Sequence, residues 1–170
     1  MATTIEKADV TLPSEREVRV TRRFKAPSAL VYRAYSEPKL LQRWMLGPPG
    51  WTMPVCEMDV RVGGSYRWRW RSSEDGSEFG FSGTFREVEP GRKVVHTERY
   101  DAGTAGAGES GGDAIVTVTF TEDGGYTTVT TLIDFGSKEV RDTVIATGMT
   151  DGMEQSYRLL EQVLSDPPVD

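Results

Sequence analysis

The chain has 170 residues, of which 37% are hydrophobic and 27% are charged, and its formal net charge is −6 at pH 7. This length allows one well-filled core but is short for two domains, and the negative charge disfavours nucleic acids and anionic membrane surfaces as main partners. The single cysteine excludes an intramolecular disulfide, and no apolar run reaches the roughly 18 residues of a membrane-spanning helix.

The first third of the chain predicts an arm, one strand and two short helices. Residues 1–13 are polar and aperiodic, which predicts a flexible arm without a signal peptide and hence a cytoplasmic protein. Val18, Val20, Arg22 and Phe24 alternate with three polar residues, as in a half-buried strand. Pro27 and Pro38 each favour the first turn of a short helix, and the Gly-Pro-Pro-Gly sequence at 47–50 ends the second.

The middle of the chain predicts a run of antiparallel strands. Six segments of strand character are separated by compact Gly-, Pro- and Asp-rich turns, near residues 54–62, 65–71, 79–88, 93–100, 114–121 and 126–135. The Gly/Ala-rich stretch 101–113 predicts a hairpin loop. Its residues 106–111 spell a dinucleotide-binding fingerprint, but no helix follows to receive a pyrophosphate, so we do not expect that cofactor.

The last element predicted is one long helix over residues 138–164. Ser137 is a favourable N-cap, apolar residues recur every three or four positions, and Pro167 begins a short tail over residues 167–170. Gly148 and Gly152 fall on one helical face, where they favour either close approach of the sheet or room for a ligand. We therefore expect a single α+β domain over residues 14–166, in which this helix covers one face of a seven-stranded antiparallel sheet.

Aromatic residues predict a cavity between that sheet and the helix. Tyr66, Trp68 and Trp70 alternate with three arginines, Arg67, Arg69 and Arg71, so one face of the strand is apolar and the other is solvated. A curved sheet around one helix often leaves a void, which rings and methionines line well. The predicted ligand contacts are Trp44, Tyr66, Trp68, Trp70, Phe81, Phe85, His96, Glu98, Met149 and Met153.

His96 and Glu98 are the polar members of that set, and they share one face of their strand. They form either a satisfied structural pair or an anchor for the polar group of a ligand. As catalytic residues they are weak candidates, with His96 as general acid–base and Glu98 orienting it. No nucleophile–base–acid set and no metal-ligand cluster emerges, so we expect a binding scaffold without a metal or cofactor, rather than an enzyme.

Several motifs, in order, resemble the START-like (SRPBCC) superfamily, in the branch of the heat-shock protein 90 ATPase activator homologue. They are Phe24-Lys-Ala-Pro27, Val31-Tyr-Arg-Ala34, Arg43-Trp44, Asp59-Val-Arg61-Val-Gly63-Gly64-Ser-Tyr66, Gly83-Thr-Phe85, Val95-His96-Thr97-Glu98-Arg99, Gly148-Met149-x-x-Gly152-Met153 and Ser156-Tyr157-x-x-Leu160. The similarity covers roughly residues 15–165. The chain departs from it at Met45, where many members have a second tryptophan.

The resemblance implies a helix-grip fold: seven antiparallel strands wrapped around a long C-terminal helix, with two short helices after the first strand. Similar domains bind small hydrophobic molecules that are lipid-, polyketide- or aromatic-like, and such a ligand is the partner we expect here. Two alternatives remain: a cyclase- or hydrolase-type enzyme using His96 and Glu98, and a chaperone co-factor that binds protein through Arg67, Arg69 and Arg71. An exposed edge strand permits a dimer without requiring one, so we expect a monomer or weak homodimer.

Overall fold

Eight antiparallel strands form one sheet in the computed structural model, which describes residues 7–101 and 113–166. The elements in chain order are β1 (Asp9–Thr11), β2 (Glu17–Phe24), α1 (Ser28–Ser36), α2 (Pro38–Trp44), β3 (Trp51–Met58), β4 (Ser65–Ser72), β5 (Glu78–Glu89), β6 (Lys93–Asp101), β7 (Ala114–Asp123), β8 (Tyr126–Asp134), α3 (Lys138–Ala146) and α4 (Met149–Ser165). The predicted loop sequence at 106–111 and the tail at 167–170 lie outside the described residues.

The sheet order, β1-β2-β8-β7-β6-β5-β4-β3, explains how the short helices come to cover the sheet. After β2 the chain crosses through α1 and α2 to the opposite edge, and every later strand pairs with the next one until β8 meets β2. The two short helices therefore lie across the inner face of the sheet. This confirms the predicted α+β architecture with its antiparallel sheet and C-terminal helical segment.

One strand more is present than the seven predicted. Asp9–Thr11, inside the segment expected to be an arm, pairs with β2 in the register Val10↔Val20 and forms the edge of the sheet. All three residues are exposed, so the strand has no buried side chains and leaves no apolar alternation in the sequence.

The other edge strand, β3, begins three residues before the predicted strand and ends four residues earlier. Pro54 cannot donate a backbone hydrogen bond, which argues against a regular strand at this position. The structure accommodates it at an irregularity in the β3–β4 pairing between Thr52 and Val55. An edge position and a bulge together let the strand continue through the proline.

The predicted single C-terminal helix is two helices. Ser137 caps α3 as expected, accepting a hydrogen bond from the Val140 amide at 3.2 Å. The helix then ends at Ala146, because Gly148 adopts a left-handed conformation with φ of +87°. The apolar spacing continues across this break, so periodicity alone did not reveal it. Within the described ranges, no helix has both the length and the apolar character needed to cross a membrane.

A buried arginine joins α4 to the sheet. Arg22 lies on the inner face of β2 with its side chain 1% exposed, stacked 5.0 Å from the centre of the Phe24 ring. Its guanidinium pairs with two α4 carboxylates, Glu154 at 3.3 Å and Glu161. Glu154 also accepts a 2.7 Å hydrogen bond from the Ala8 amide. The buried charge of Arg22 on β2 thus fixes the position of α4 on the sheet.

We expect Arg22→Ala to destabilise the protein by about 2–5 kcal/mol, because it empties a fully buried site on Phe24 and removes the counter-charge of the partly exposed Glu154 and Glu161 carboxylates. Arg19→Ala is the matched control, since Arg19 is exposed on the opposite face of the same strand, and a change within about 0.5 kcal/mol is expected. Urea unfolding of both variants measures the difference. Equal losses of stability would show that the Arg22 ion pairs do not hold α4.

Candidate functional site

A small internal cavity lies between the inner face of the sheet and helices α1 and α2. Its volume is about 30 Å³, which admits water but is far below the roughly 300–1,000 Å³ of a typical ligand pocket. Most of the lining is apolar and comes from both helices and strands β4–β7, with Met45, Met58 and Val60 from the adjoining connections and β3. The aromatic members are Tyr32, Tyr35, Trp68, Phe85 and Phe120, and the one imidazole is His96.

This position differs from the predicted cavity between the sheet and the C-terminal helix. The ion pairs of Arg22 hold α4 beside β2, and the buried face of α4 packs there and on α2. Tyr157 of α4, for example, lies 5.6 Å from the Phe24 ring and 6.4 Å from the Trp44 ring, measured between ring centres. The centre of the sheet is therefore left to α1 and α2, and no α4 residue lines the cavity.

Three of the predicted ligand contacts line the cavity: Trp68, Phe85 and His96. Tyr66 is the immediate neighbour of His96, with ring centres 4.9 Å apart. Trp44 lies behind the cavity, where its indole N–H donates to the Ala34 carbonyl at 2.9 Å.

The remaining predicted contacts lie farther from the cavity. Trp70 and Phe81 belong to a partly exposed aromatic group towards the far end of β4, β5 and β6, which also contains Phe79 and Tyr100. Met149 and Met153 are half-buried on α4 against the core, and Glu98 lies outside the lining. A ligand contact at any of these positions stays a prediction.

Sequence reasoning missed most of the helical side of the cavity. Tyr32 and Tyr35, three residues apart on α1, both contact Phe120 of β7, at 5.7 and 5.2 Å between ring centres. Their spacing puts them on one face of α1, and this sequence feature could have identified them as a pair of residues facing the sheet. The pairing of that face with β7 follows from the crossover of the chain and is not encoded in any local pattern.

Hydrogen bonds on the β6 backbone lock the His96 ring. The Tyr66 hydroxyl donates to the Thr97 carbonyl at 2.6 Å, and the His96 Nδ1 atom lies 3.0 Å from both that hydroxyl and that carbonyl. A carbonyl oxygen only accepts, so Nδ1 carries the proton and Nε2 carries the lone pair. Burial lowers the pKa of His96 from its ordinary value, which favours this neutral form although the Thr97 carbonyl partly opposes the shift.

Gly83 makes this arrangement possible. It is the β5 residue paired with Tyr66, and a Cβ atom at Gly83 would lie only 2.1 Å from the Thr97 carbonyl oxygen. The missing side chain leaves the space in which the tyrosine hydroxyl reaches across β5 to β6. A larger residue here would displace either the Tyr66 hydroxyl or the strand pairing.

His96 and Glu98 are two residues apart on β6, but their side chains make no hydrogen bond with each other. The Glu98 carboxyl has no hydrogen-bond partner among residues 7–101 and 113–166. Burial raises its pKa from 4.5 to about 7, and its proximity contributes to the raised pKa of Tyr66, for which burial is the larger cause. Tyr66 and Thr97 thus hold the imidazole, in the role proposed for Glu98.

One of the three arginines on the outer face of β4, Arg69, is neutralised within the sheet, whereas Arg67 and Arg71 are exposed. Arg69 is 14% exposed and pairs with Asp101 at 2.7 Å and Glu78 at 3.4 Å. Arg67 lies 4.0 Å from Glu57. A wide depression of about 880 Å³ on this outer face contains side chains of both signs and opens to solvent, so it presents neither an apolar nor a singly charged surface.

We expect Glu98→Gln to stabilise the protein at pH 8 but not at pH 4. The folded pKa of about 7 exceeds the ordinary 4.5, so both states hold the proton at low pH and only the folded state resists losing it as the pH rises. The free energy of unfolding of the variant, relative to that of the wild type, should therefore increase by on the order of 1–3 kcal/mol from pH 4 to pH 8. Thermal unfolding across that range measures it.

Glu57→Gln is the control, because Glu57 is 68% exposed on the outer face. Because an exposed side chain contributes little to stability, we expect this variant to unfold within about 0.5 kcal/mol of the wild type. A Glu98→Gln difference that is independent of pH would show that the Glu98 carboxyl is ordinarily solvated.

Comparison with solved structures shows the same fold in bacterial proteins. A protein from Rhodobacter sphaeroides is 28% identical, with 95% of this chain and 99% of that chain covered at a TM-score of 0.86. A protein from Chromobacterium violaceum is 26% identical, with coverages of 91% and 100% and a TM-score of 0.73. An AHSA1-like protein from Aeromonas hydrophila is 20% identical, with coverages of 85% and 93% and a TM-score of 0.65.

Comparison with curated protein sequences finds no match. The sequence does match a family: residues 25–165 fit the description "Activator of Hsp90 ATPase homolog 1-like protein". The match covers both short helices, strands β3–β8 and the C-terminal helices. The chain therefore belongs to the Activator of Hsp90 ATPase homolog 1-like family and has its START-like fold.

Proposed function

We propose that this protein binds a small, largely apolar molecule in the cavity between α1, α2 and strands β4–β7. The observation that carries the proposal is the lining itself: aromatic and aliphatic side chains surround unfilled space in the middle of the core, with one imidazole among them. Well-packed interiors contain few voids of this kind. Apolar cavities with a few polar groups are the usual form of small-molecule sites.

The ligand must widen the cavity as it enters. An apolar void that accepts benzene measures roughly 150 Å³, against about 30 Å³ here. Met45, just after α2, and Met58, at the end of β3, are the side chains that can yield, since the thioether chain is unbranched and changes rotamer readily. Both are only partly buried, so their movement opens a route from the surface.

The enzyme alternative has less support. The structure holds the His96 ring by Nδ1 on Thr97 and Tyr66, and the Glu98 carboxyl makes no hydrogen bond to it in the described part of the chain. The chaperone co-factor alternative requires a free arginine face, whereas Arg69 is mostly buried in ion pairs. Both alternatives stay predictions. The binding proposal rests on the apolar lining of the cavity, which neither alternative requires.

Native mass spectrometry of the purified protein is the first experiment, followed by titration with apolar probes such as benzene, toluene and naphthalene. Trp68 lines the cavity, so we expect saturable changes in tryptophan fluorescence. Val118→Ile adds one methylene to the lining and should fill most of the free volume. We expect the variant to be at least as stable as the wild type and to bind the probes at least tenfold more weakly.

Val163→Ile is the matched control, because it adds the same methylene to a buried residue of α4 that is outside the lining. It should bind the probes as the wild type does, whatever its stability. No retained molecule and no probe binding up to the solubility limit would overturn the proposed function. Probe binding that Val118→Ile leaves unchanged would place the binding elsewhere and overturn it as well.

A further inference from the structure

The Trp68 indole is a buried hydrogen-bond donor without an acceptor. Three tryptophans are buried, and two of them donate to carbonyls: Trp44 to Ala34 at 2.9 Å and Trp70 to Met45 at 2.6 Å. The Trp68 side chain is only 7% exposed, yet its Nε1 atom has no partner in the described part of the chain. Leaving such a donor unsatisfied costs roughly 1–3 kcal/mol, so a ligand atom that accepts from it would contribute to binding. The Tyr35 hydroxyl, also in the lining, is the other buried side-chain polar atom without a partner among the described residues.

His96 supplies the complementary acceptor. Its Nδ1 atom is committed to Thr97 and Tyr66, so the lone pair is on Nε2, on the other side of the ring. Nε2 makes no hydrogen bond with residues 7–101 or 113–166. His96 is 6% exposed, and its Nε2 atom keeps some accessible surface on which a ligand atom can approach it.

The two rings are neighbours in the cavity lining. Trp68 and His96 both line the cavity, and their ring centres are 5.9 Å apart with the planes at 77°. One oxygen atom can accept from an N–H and donate its own proton to a nearby ring nitrogen, at about 2.8–3.0 Å from each. The pair therefore demands a group that is donor and acceptor at once.

We infer that the ligand of this cavity carries a hydroxyl group, as in a phenol or an alcohol, which accepts from Trp68 Nε1 and donates to His96 Nε2. The inference rests on the proposed function and adds the chemical class of the ligand. A hydrocarbon satisfies neither nitrogen. A ketone or a carboxylate has no proton for Nε2, and an ammonium group has no lone pair for the indole.

Phenol and benzene are the matched probes. Water solvates phenol better than benzene, so a cavity without polar partners would prefer benzene. We expect the opposite here, with phenol binding about tenfold more tightly, the effect of one to two well-made hydrogen bonds. Trp68→Phe should remove most of that preference, because it keeps an aromatic ring and deletes the donor. Trp44→Phe is the control, since its indole already has an acceptor and lies outside the lining.

The outcomes separate the two proposals. Benzene binding as tightly as phenol overturns the hydroxyl inference and leaves apolar binding intact. A water molecule permanently hydrogen-bonded to both nitrogens would give this result. Failure of every probe overturns the proposed function. A preference for phenol that persists unchanged in Trp68→Phe overturns the assignment of the donor.

Stability gives a test that needs no ligand. Trp68→Phe and Trp44→Phe remove the same atoms from buried sites, but only the second breaks a hydrogen bond. We expect urea unfolding to show a smaller loss of stability for Trp68→Phe. An equal or larger loss would show that the Trp68 N–H already has a partner, and would overturn the inference.

Discussion

The burial of one positive charge governs how the helices of this protein are placed. A guanidinium as deeply buried as that of Arg22 is tolerated only with opposite charges beside it, and the carboxylates that meet it come from α4. That requirement sets α4 along β2. Tyr157 then packs on Phe24 and on the Trp44 indole, which positions α2, and α2 together with α1 closes the cavity. The position of the cavity is thus determined by an ion pair with which the lining shares no residue.

Strand-level features were predictable from the sequence because a strand has a period of two. Tyr66, Trp68 and Trp70 face inward and their arginine neighbours outward, as the alternation indicates. The same rule placed His96 and Glu98 on one face. It could not reveal that Tyr66, thirty residues earlier, would hold the imidazole, since that contact depends on strand order and on the space left by Gly83.

The site itself was only partly predictable, for the reason that helix packing is not local. A continuous apolar stripe over 138–164 favours one helix against the sheet centre, but Gly148 divides it and Arg22 draws the second part to one side. Met149 and Met153 consequently lie away from the cavity, and Tyr32 and Tyr35 take the corresponding place. Where backbone conformation or a buried charge decides the geometry, side-chain periodicity carries too little information.

The irregular edge strands have a consequence for assembly. A long, regular edge offers a row of unpaired amides and carbonyls to any other strand that meets it, and this is a common route to aggregation. Here Pro54 removes one amide and the adjoining irregularity disturbs the spacing along β3, while β1 at the opposite edge is only three residues long. Neither edge therefore presents an unbroken template for a second chain. Association between copies is expected to depend on side chains of the helices or of the outer face rather than on backbone pairing.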